Sequence, residues 1–142
     1  MKLNGIAHIQ LTVADLQRSR AFWAPMLDLF EMKTLIDTDD YFYGIGSRTG
    51  VAISPVDPMY REDRFDQKRV GLHHVCFRAR SREDVDEVHR LACDLGARVV
   101  HPPQEDAWAP GYYSVLFEDP DGIRVEVNFV PGRGHLSGSE AK

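Results

Sequence analysis

The chain has 142 residues, of which 43% are hydrophobic and 27% charged, as is usual for a folded domain. Its net charge of −5 argues against a nucleic-acid surface, which would need clustered Lys and Arg. No apolar run reaches the roughly 18 residues that span a bilayer. The N-terminus also lacks the apolar stretch of a secretory signal. We therefore expect a cytoplasmic protein with no membrane or nucleic-acid partner.

The first half of the chain predicts one strand, one helix and three further strands. Residues 3–14 alternate between apolar and polar side chains, which is typical of a strand. Asp15 is a suitable N-cap for a helix that continues to about Leu27. Residues 28–37 and 40–56 predict three more strands. The polar segment 54–69, with two prolines, predicts a linker or an ordered loop.

The second half predicts the same elements in the same order. Residues 70–79 form a strand, and Ser81 caps a helix, with Asp84 as a weaker substitute for the Glu of a capping box. Gly96 ends that helix in the left-handed conformation. Strands follow at 97–102, 112–118 and 123–130, with a loop over 102–112. The apolar helix face consists of Val85, Val88, Leu91, Ala92 and Leu95.

A self-alignment relates the two halves to each other. His8 aligns with His74, and Asp15 with Ser81, both at an offset of 66 residues. Gly50 aligns with Gly122 at an offset of 72, which places about six extra residues in the 102–112 loop. We predict one domain over 1–142, with modules at about 4–56 and 70–131, a linker at about 57–69 and a fraying tail at 132–142.

The repeat gives equivalent positions to two histidines. A pseudo-twofold axis between the modules would bring His8 and His74 to one shared cleft. Glu126 lies in the last predicted strand, between Val125 and Val127. An unpaired carboxylate is costly in a partly buried strand, so a nearby cation is the natural explanation. These three residues are the candidate metal ligands.

The motifs resemble those of the vicinal oxygen chelate superfamily, which includes glyoxalases, bleomycin-resistance proteins and extradiol dioxygenases. GIAHIQLTVADLQRSRAFW is similar to the start of one module, and GLHHVCFRARSREDVDEVHRLACDLGARVV with GYYSVLFEDPDGIRVEV to a second. The most specific piece is FEDPDGIRVEV, in which the Glu four residues after the Gly matches the family's metal ligand. The resemblance implies an α+β fold, with two βαβββ modules forming a cup-shaped, eight-stranded mixed sheet and helices outside.

The resemblance also implies a site. His8, His74 and Glu126 would bind one divalent ion (Fe, Mn, Ni, Co or Zn), and the offset puts Ser54 where glyoxalase-type isomerases have a second Glu. Ser54 would then border a small-molecule substrate, with Trp108 and Tyr113 closing the cleft from the 102–112 loop. Glu126 would also serve in catalysis. Family members commonly pair modules between chains, so we expect a homodimer.

Three functions stay open on the sequence alone. The first is a metal-dependent lyase, isomerase or transferase of glyoxalase type, acting on a small oxygenated metabolite. The second is a metal-dependent dioxygenase, although Leu116 stands where extradiol enzymes have a Tyr. The third is a non-catalytic binder of a drug or metabolite, similar to bleomycin-resistance proteins. Such binders usually lack the metal ligands, which favours the first function.

Overall fold

Two successive βαβββ units appear in the computed structural model, which describes residues 3, 5–46 and 48–132. The first unit falls within Met1–Phe65 and the second within Asp66–Lys142. The boundary between them lies in the predicted linker. Most of the predicted tail, including 133–142, lies outside the described residues. No helix among the described residues is long and apolar enough to cross a membrane.

Each unit contains four strands and one α-helix in the predicted order. The eight strands form two four-stranded mixed sheets, one in each unit, where the sequence predicted one sheet of eight strands. In both sheets the first strand pairs in parallel with the last, and the other pairs are antiparallel. The sheet orders are β1-β4-β3-β2 and β5-β8-β7-β6. The first unit has β1 (His8–Val13), α1 (Leu16–Leu29), β2 (Lys33–Asp37), β3 (Phe42–Gly46) and β4 (Thr49–Pro55). The second has β5 (Val75–Arg78), α2 (Arg82–Asp94), β6 (Arg98–Glu105), β7 (Tyr113–Glu118) and β8 (Arg124–Phe129).

The helices begin where their capping residues predicted. The Asp15 carboxylate accepts a hydrogen bond from the Arg18 backbone N–H at 3.0 Å. At α2, Ser81 and Asp84 form a full capping box, in which each side chain accepts from the other's backbone N–H. Because these groups satisfy N–H donors that a helix leaves unpaired, they fix where each helix starts. Gly96 follows α2 with a φ of +74°, in the left-handed region.

Each unit packs its helix against its own sheet. Helix α1 buries Phe22, Trp23, Met26 and Leu27, and α2 buries Val85, Val88 and Ala92. In the second unit the buried sheet residues include Val115, Phe117, Val125 and Val127. Leu91, predicted as part of the α2 core face, is only half-buried. The alternation of β8 therefore places its valines in the core and Glu126 on the opposite face.

Strand β6 is longer than the sequence predicted. It continues through Pro102, the last residue of the predicted strand, to Pro103 and Glu105, which were expected to lie in a loop. Proline cannot donate to a strand ladder, but β6 is an edge strand, and its pairing with β7 shifts register around His101. The prolines are therefore tolerated, and only residues 106–112 connect the two strands.

The strand register corrects the predicted offset for the last strand of each unit. Gln10 of β1 and Cys76 of β5 are equivalent residues of the repeat, at the 66-residue offset. In the parallel strand pairs, Gln10 lies beside Ala52 of β4, and Cys76 lies beside Glu126 of β8. The equivalent of Glu126 is therefore Ala52, at an offset of 74 residues. Ser54 pairs with Thr12 and corresponds to Asn128, which pairs with Arg78. The alignment of Gly50 with Gly122 was wrong because the loops around the last two strands also differ in length.

Candidate metal centre

The turn before β8 sets the position of Glu126 along the sheet. The Asp119 carboxylate accepts hydrogen bonds from the backbone N–H groups of Asp121 and Ile123, both at 2.9 Å. Gly122 has a φ of +87°, a conformation that a side chain would strain. The DPDG motif therefore builds a closed turn, and β8 leaves it with Glu126 on the face away from α2.

Glu126 has a different partner for each carboxylate oxygen. Its Oε2 lies 3.1 Å from Nε2 of His74, the residue directly before β5. Its Oε1 accepts a hydrogen bond from the Tyr112 hydroxyl. The Glu126 side chain is 13% exposed and that of His74 35% exposed, so the pair is open to solvent at the imidazole. His74 and Tyr112 therefore supply protein partners for this carboxylate, and the cation that the sequence predicts at Glu126 stays a prediction.

Tyr112 is itself held in place. It is buried, and its hydroxyl oxygen accepts a hydrogen bond from Nδ2 of Asn128 at 3.0 Å. Burial and the neighbouring Glu126 carboxylate both raise the pKa of the Tyr112 hydroxyl above its ordinary value. The hydroxyl therefore stays protonated at neutral pH and can donate to Glu126. Tyr112 was not among the candidate site residues predicted from the sequence. Its position at the start of the predicted 112–118 strand, next to Tyr113, was the signal that could have identified it.

His73, the residue before His74, contacts it through the imidazole ring. The two Nδ1 atoms are 2.7 Å apart, and the rings meet edge to face with centroids 5.0 Å apart. The alternation of side chains along a strand does not apply to His73 and His74, because β5 begins only at Val75. A hydrogen bond between the two Nδ1 atoms requires one to carry the proton, and it orients the His74 ring with Nε2 toward Glu126.

In the first unit, His8 begins β1 and is exposed. Its ring meets Tyr43 of β3 edge to face, with centroids 6.5 Å apart. Gly50 is the strand partner of His8, and a Cβ there would lie 2.5 Å from the Tyr43 ring. Only glycine leaves room for the tyrosine to lie across β4, beside the predicted ligand.

The other predicted site residues are Ser54, Trp108 and Tyr113, and each lies in a different environment. Ser54 is on the same face of β4 as Ala52, and its Oγ accepts from Nε2 of Gln10 at 3.2 Å. Trp108 lies in the β6–β7 turn and is 78% exposed. Tyr113 faces α2: its hydroxyl donates to Asp86 at 2.8 Å, and the Arg82 guanidinium lies 4.1 Å from its ring centroid. Contrary to expectation, Tyr113 is on the opposite face of the sheet from Glu126.

Cys76 lies beside Glu126 as its partner in the β5–β8 ladder. The thiol keeps an exposed surface, but surrounding protein and the Glu126 carboxylate raise its pKa to about 12. It is therefore a neutral thiol at physiological pH. Both cysteines are free.

The second unit contributes two donors that suit a divalent ion. An imidazole nitrogen and a carboxylate oxygen, side by side and partly exposed, are the ligand types found in Zn, Fe, Mn, Co and Ni sites. Over residues 3, 5–46 and 48–132, no group of three or more His, Cys, Asp or Glu side chains comes together. The His74–Glu126 pair fits a metal as part of a site, and a complete site needs a further ligand.

Comparisons with known proteins agree with this architecture. The chain is 32% identical over 121 residues to the uncharacterized protein YqjT of Bacillus subtilis strain 168, covering 84% of this chain and 94% of YqjT. A glyoxalase candidate from Bacillus halodurans has a similar structure, with a TM-score of 0.78, 28% identity and coverage of 89% of this chain and 96% of that one. Lactoylglutathione lyase from Agrobacterium tumefaciens gives a TM-score of 0.64, 26% identity and coverage of 91% and 96%.

The family model for glyoxalases, bleomycin-resistance proteins and dioxygenases matches residues 5–127. The chain belongs to the Glyoxalase/Bleomycin resistance protein/Dioxygenase superfamily. Members of this superfamily commonly use a divalent metal ion, are often dimeric and bind small molecules.

Proposed function

We propose that this protein is a divalent-metal-dependent enzyme of glyoxalase type, a lyase, isomerase or transferase acting on a small oxygenated metabolite. The observation that carries the proposal is the contact of His74 with Glu126, 3.1 Å apart on the face of the second sheet away from α2. The same face carries Tyr112 and Asn128, which fix the carboxylate.

The proposed ligands are His8, His74 and Glu126. His8 and His74 are equivalent residues of the two units: His8 is the first residue of β1, and His74 directly precedes β5. The ion would be Fe, Mn, Co, Ni or Zn, all of which accept imidazole and carboxylate ligands. When bound, it supplies positive charge that stabilises negative charge on two substrate oxygens.

The chemistry left to the protein is proton transfer. The Glu126 carboxylate accepts a proton from a hydroxyl-bearing substrate carbon beside a carbonyl: the C–H bond breaks and its electron pair stays on the substrate. Glu126 then returns the proton to the former carbonyl carbon, and the hydroxyl proton moves to the oxygen of that carbon. The hydroxyl-bearing carbon thereby becomes the new carbonyl, and the carboxylate is restored. Tyr112 and His74 keep the carboxylate oriented during both steps, which is the requirement for an efficient general base.

The ring-cleaving alternative gains no support from β7. Leu116 is the strand partner of Glu126, so its side chain lies on the same face beside the carboxylate. An isobutyl group can shape an apolar wall, but it cannot exchange protons. A substrate with an apolar part next to its oxygens would suit this surface.

A deuterium-exchange assay tests the proposed chemistry. The protein, loaded in turn with each candidate metal, is incubated in D₂O with small α-hydroxy and α-oxo acids, their thioesters and lactoylglutathione. We expect metal-dependent loss of the α-proton signal by NMR from at least one substrate, and its abolition in Glu126→Gln. Exchange equal in wild type and Glu126→Gln would refute the role of Glu126. A His101→Ala variant is the control, since His101 lies on edge strand β6 and contacts the Pro102 carbonyl.

We also propose a homodimer. The edge strand β2 leaves backbone groups unpaired within its sheet, and its Leu35 is 62% exposed and Ile36 40% exposed. Light scattering at micromolar concentration should give about twice the 16.1 kDa chain mass. A mass of one chain would contradict the dimer.

A further inference from the structure

We propose that Tyr112 is a positioning residue that reserves one oxygen of Glu126 for the metal. The inference rests on the proposed function, because it assigns the two Glu126 oxygens different tasks at that site. Oε1 is held by the Tyr112 hydroxyl, while Oε2 faces Nε2 of His74. Tyr112 would thereby make Glu126 a ligand through one oxygen.

The hydrogen bond has a fixed direction. Glu126 ionised can only accept, so the Tyr112 hydroxyl must donate to it. Asn128 donates its Nδ2 hydrogen to the same hydroxyl at 3.0 Å, which occupies an oxygen lone pair and leaves the O–H aimed at Glu126. The hydrogen bonds from Asn128 to Tyr112 and from Tyr112 to Glu126 therefore have one consistent arrangement of protons.

The groups that hold this arrangement are buried, whereas the metal side is open. Tyr112 is 6% exposed and Asn128 is 7% exposed. His74, on the other side of the carboxylate, is 35% exposed at its side chain. A hydrogen bond to a charged acceptor is stronger and more directional than a neutral one, and burial protects it from competing water. The carboxylate is thus restrained before an ion arrives.

Among the described residues of the first unit, the matching positions do not carry this set of side chains. Ala52 occupies the place of Glu126, and Ser54 the place of Asn128. The tyrosine, the amide and the carboxylate therefore belong together as one set in the second unit. This agrees with a task tied to Glu126 rather than with a general need of the fold.

Isothermal titration with Zn²⁺ and Mn²⁺ tests the inference without depending on activity. Tyr112→Phe removes only the hydroxyl and keeps the ring, and we expect metal affinity to fall about 10- to 100-fold, as for loss of other groups that orient metal ligands. Tyr113→Phe is the matched control: it removes the neighbouring hydroxyl, which contacts Asp86 on the α2 face. Its metal affinity should equal that of the wild type.

Two further variants distinguish a failure of the Tyr112 positioning role from a failure of the proposed metal site. Asn128→Ala leaves Tyr112 present but free to turn, and should weaken metal binding in the same direction; it also replaces Tyr112→Phe if that variant does not fold. Glu126→Ala should abolish binding. If Glu126→Ala loses the metal while Tyr112→Phe and Asn128→Ala bind as the wild type does, the positioning role is overturned and the proposed site stands. If the wild type binds neither ion, or Glu126→Ala binds unchanged, both are overturned.

Discussion

Ala52 of β4 holds the place in the first unit that Glu126 of β8 holds in the second. Gln10 and Cys76 are equivalent in the repeat, and they pair across their parallel ladders with Ala52 and Glu126 respectively. An alanine methyl has no lone pair to offer a metal. The strand register therefore gives the first unit no carboxylate at the position that matches Glu126, and it replaces the sequence alignment, which had put Ser54 there.

This register makes a prediction for Ser54→Glu. Because Ser54 corresponds to Asn128 and not to Glu126, a carboxylate there should not become a ligand. We expect titration calorimetry to give a metal affinity within about threefold of the wild type, the scale of a solvent-screened charge effect. Tighter binding by a factor of ten or more would place position 54 at the metal and contradict the register argument. Ser54→Gln, similar in size and uncharged, controls for steric effects.

The core of the first unit makes a prediction for stability. Met26 of α1 is fully buried, so Met26→Ala should lower the free energy of unfolding by about 2–5 kcal/mol through lost burial and a residual cavity. Met59→Ala, the same change at a position that is 75% exposed between β4 and β5, should change it by less than about 0.5 kcal/mol. Urea denaturation of the two variants compares them directly. Equal effects would mean that α1 does not pack as described.

The capping box at α2 can be measured in the same way. Ser81→Ala removes the oxygen that accepts from the Asp84 N–H and should cost about 0.5–2 kcal/mol of unfolding free energy. Ser81→Asp keeps an acceptor at the N-cap and should restore most of the loss. If alanine and aspartate behave alike in thermal unfolding, the cap does not stabilise the helix.

Glu118 links stability to pH. It is 8% exposed, and its carboxylate accepts from Nε of Arg98 at 2.7 Å and lies 3.4 Å from Nε of Arg124. Hydrogen bonding and charge from Arg98 lower the pKa of Glu118 in the folded protein. The unfolded chain therefore binds this proton more readily, and the stabilisation is complete above the ordinary glutamate pKa of about 4.3 and is lost as pH falls.

The corresponding measurement is the urea midpoint of wild type and Glu118→Gln between pH 7 and pH 3. We expect the wild type to be more stable at pH 7 and the difference to shrink as the solution is acidified. Glu105→Gln is the control, because Glu105 pairs with Arg82 at 2.7 Å but is 63% exposed, where ion pairs contribute little. A difference that stays constant with pH would show that the Glu118 ion pair is not responsible.

Local signals in the sequence predicted most of the fold. Caps at Asp15 and Ser81 and the glycine at 96 depend on neighbours a few residues away, and they lie where expected. The strands occur in the predicted order, although β1 and β5 begin later than predicted and β6 ends later. The errors came from relationships that are not local. Strand register between β1 and β4 decides whether Ala52 or Ser54 matches Glu126, and unequal loops hide that register from a sequence comparison.

The same limit applies to the candidate site, whose metal-binding role stays a prediction. His74 and Glu126 follow from the repeat and the DPDG motif, and they lie in contact. Tyr112 was missed and Tyr113 preferred, although the two are adjacent and face opposite sides of the sheet. The choice between them depends on where β7 begins, and strand ends are the positions that sequence patterns define least well.

The most direct test of the proposed centre is the metal content of the purified protein. After dialysis against each candidate ion and removal of excess, mass spectrometry of the metal should find one ion per chain in the wild type and in the His101→Ala control. His8→Ala, His74→Ala and Glu126→Ala should each retain far less than one. A wild type that retains no ion, or a Glu126→Ala variant that retains as much as the wild type, would contradict the claim that His8, His74 and Glu126 bind a divalent metal.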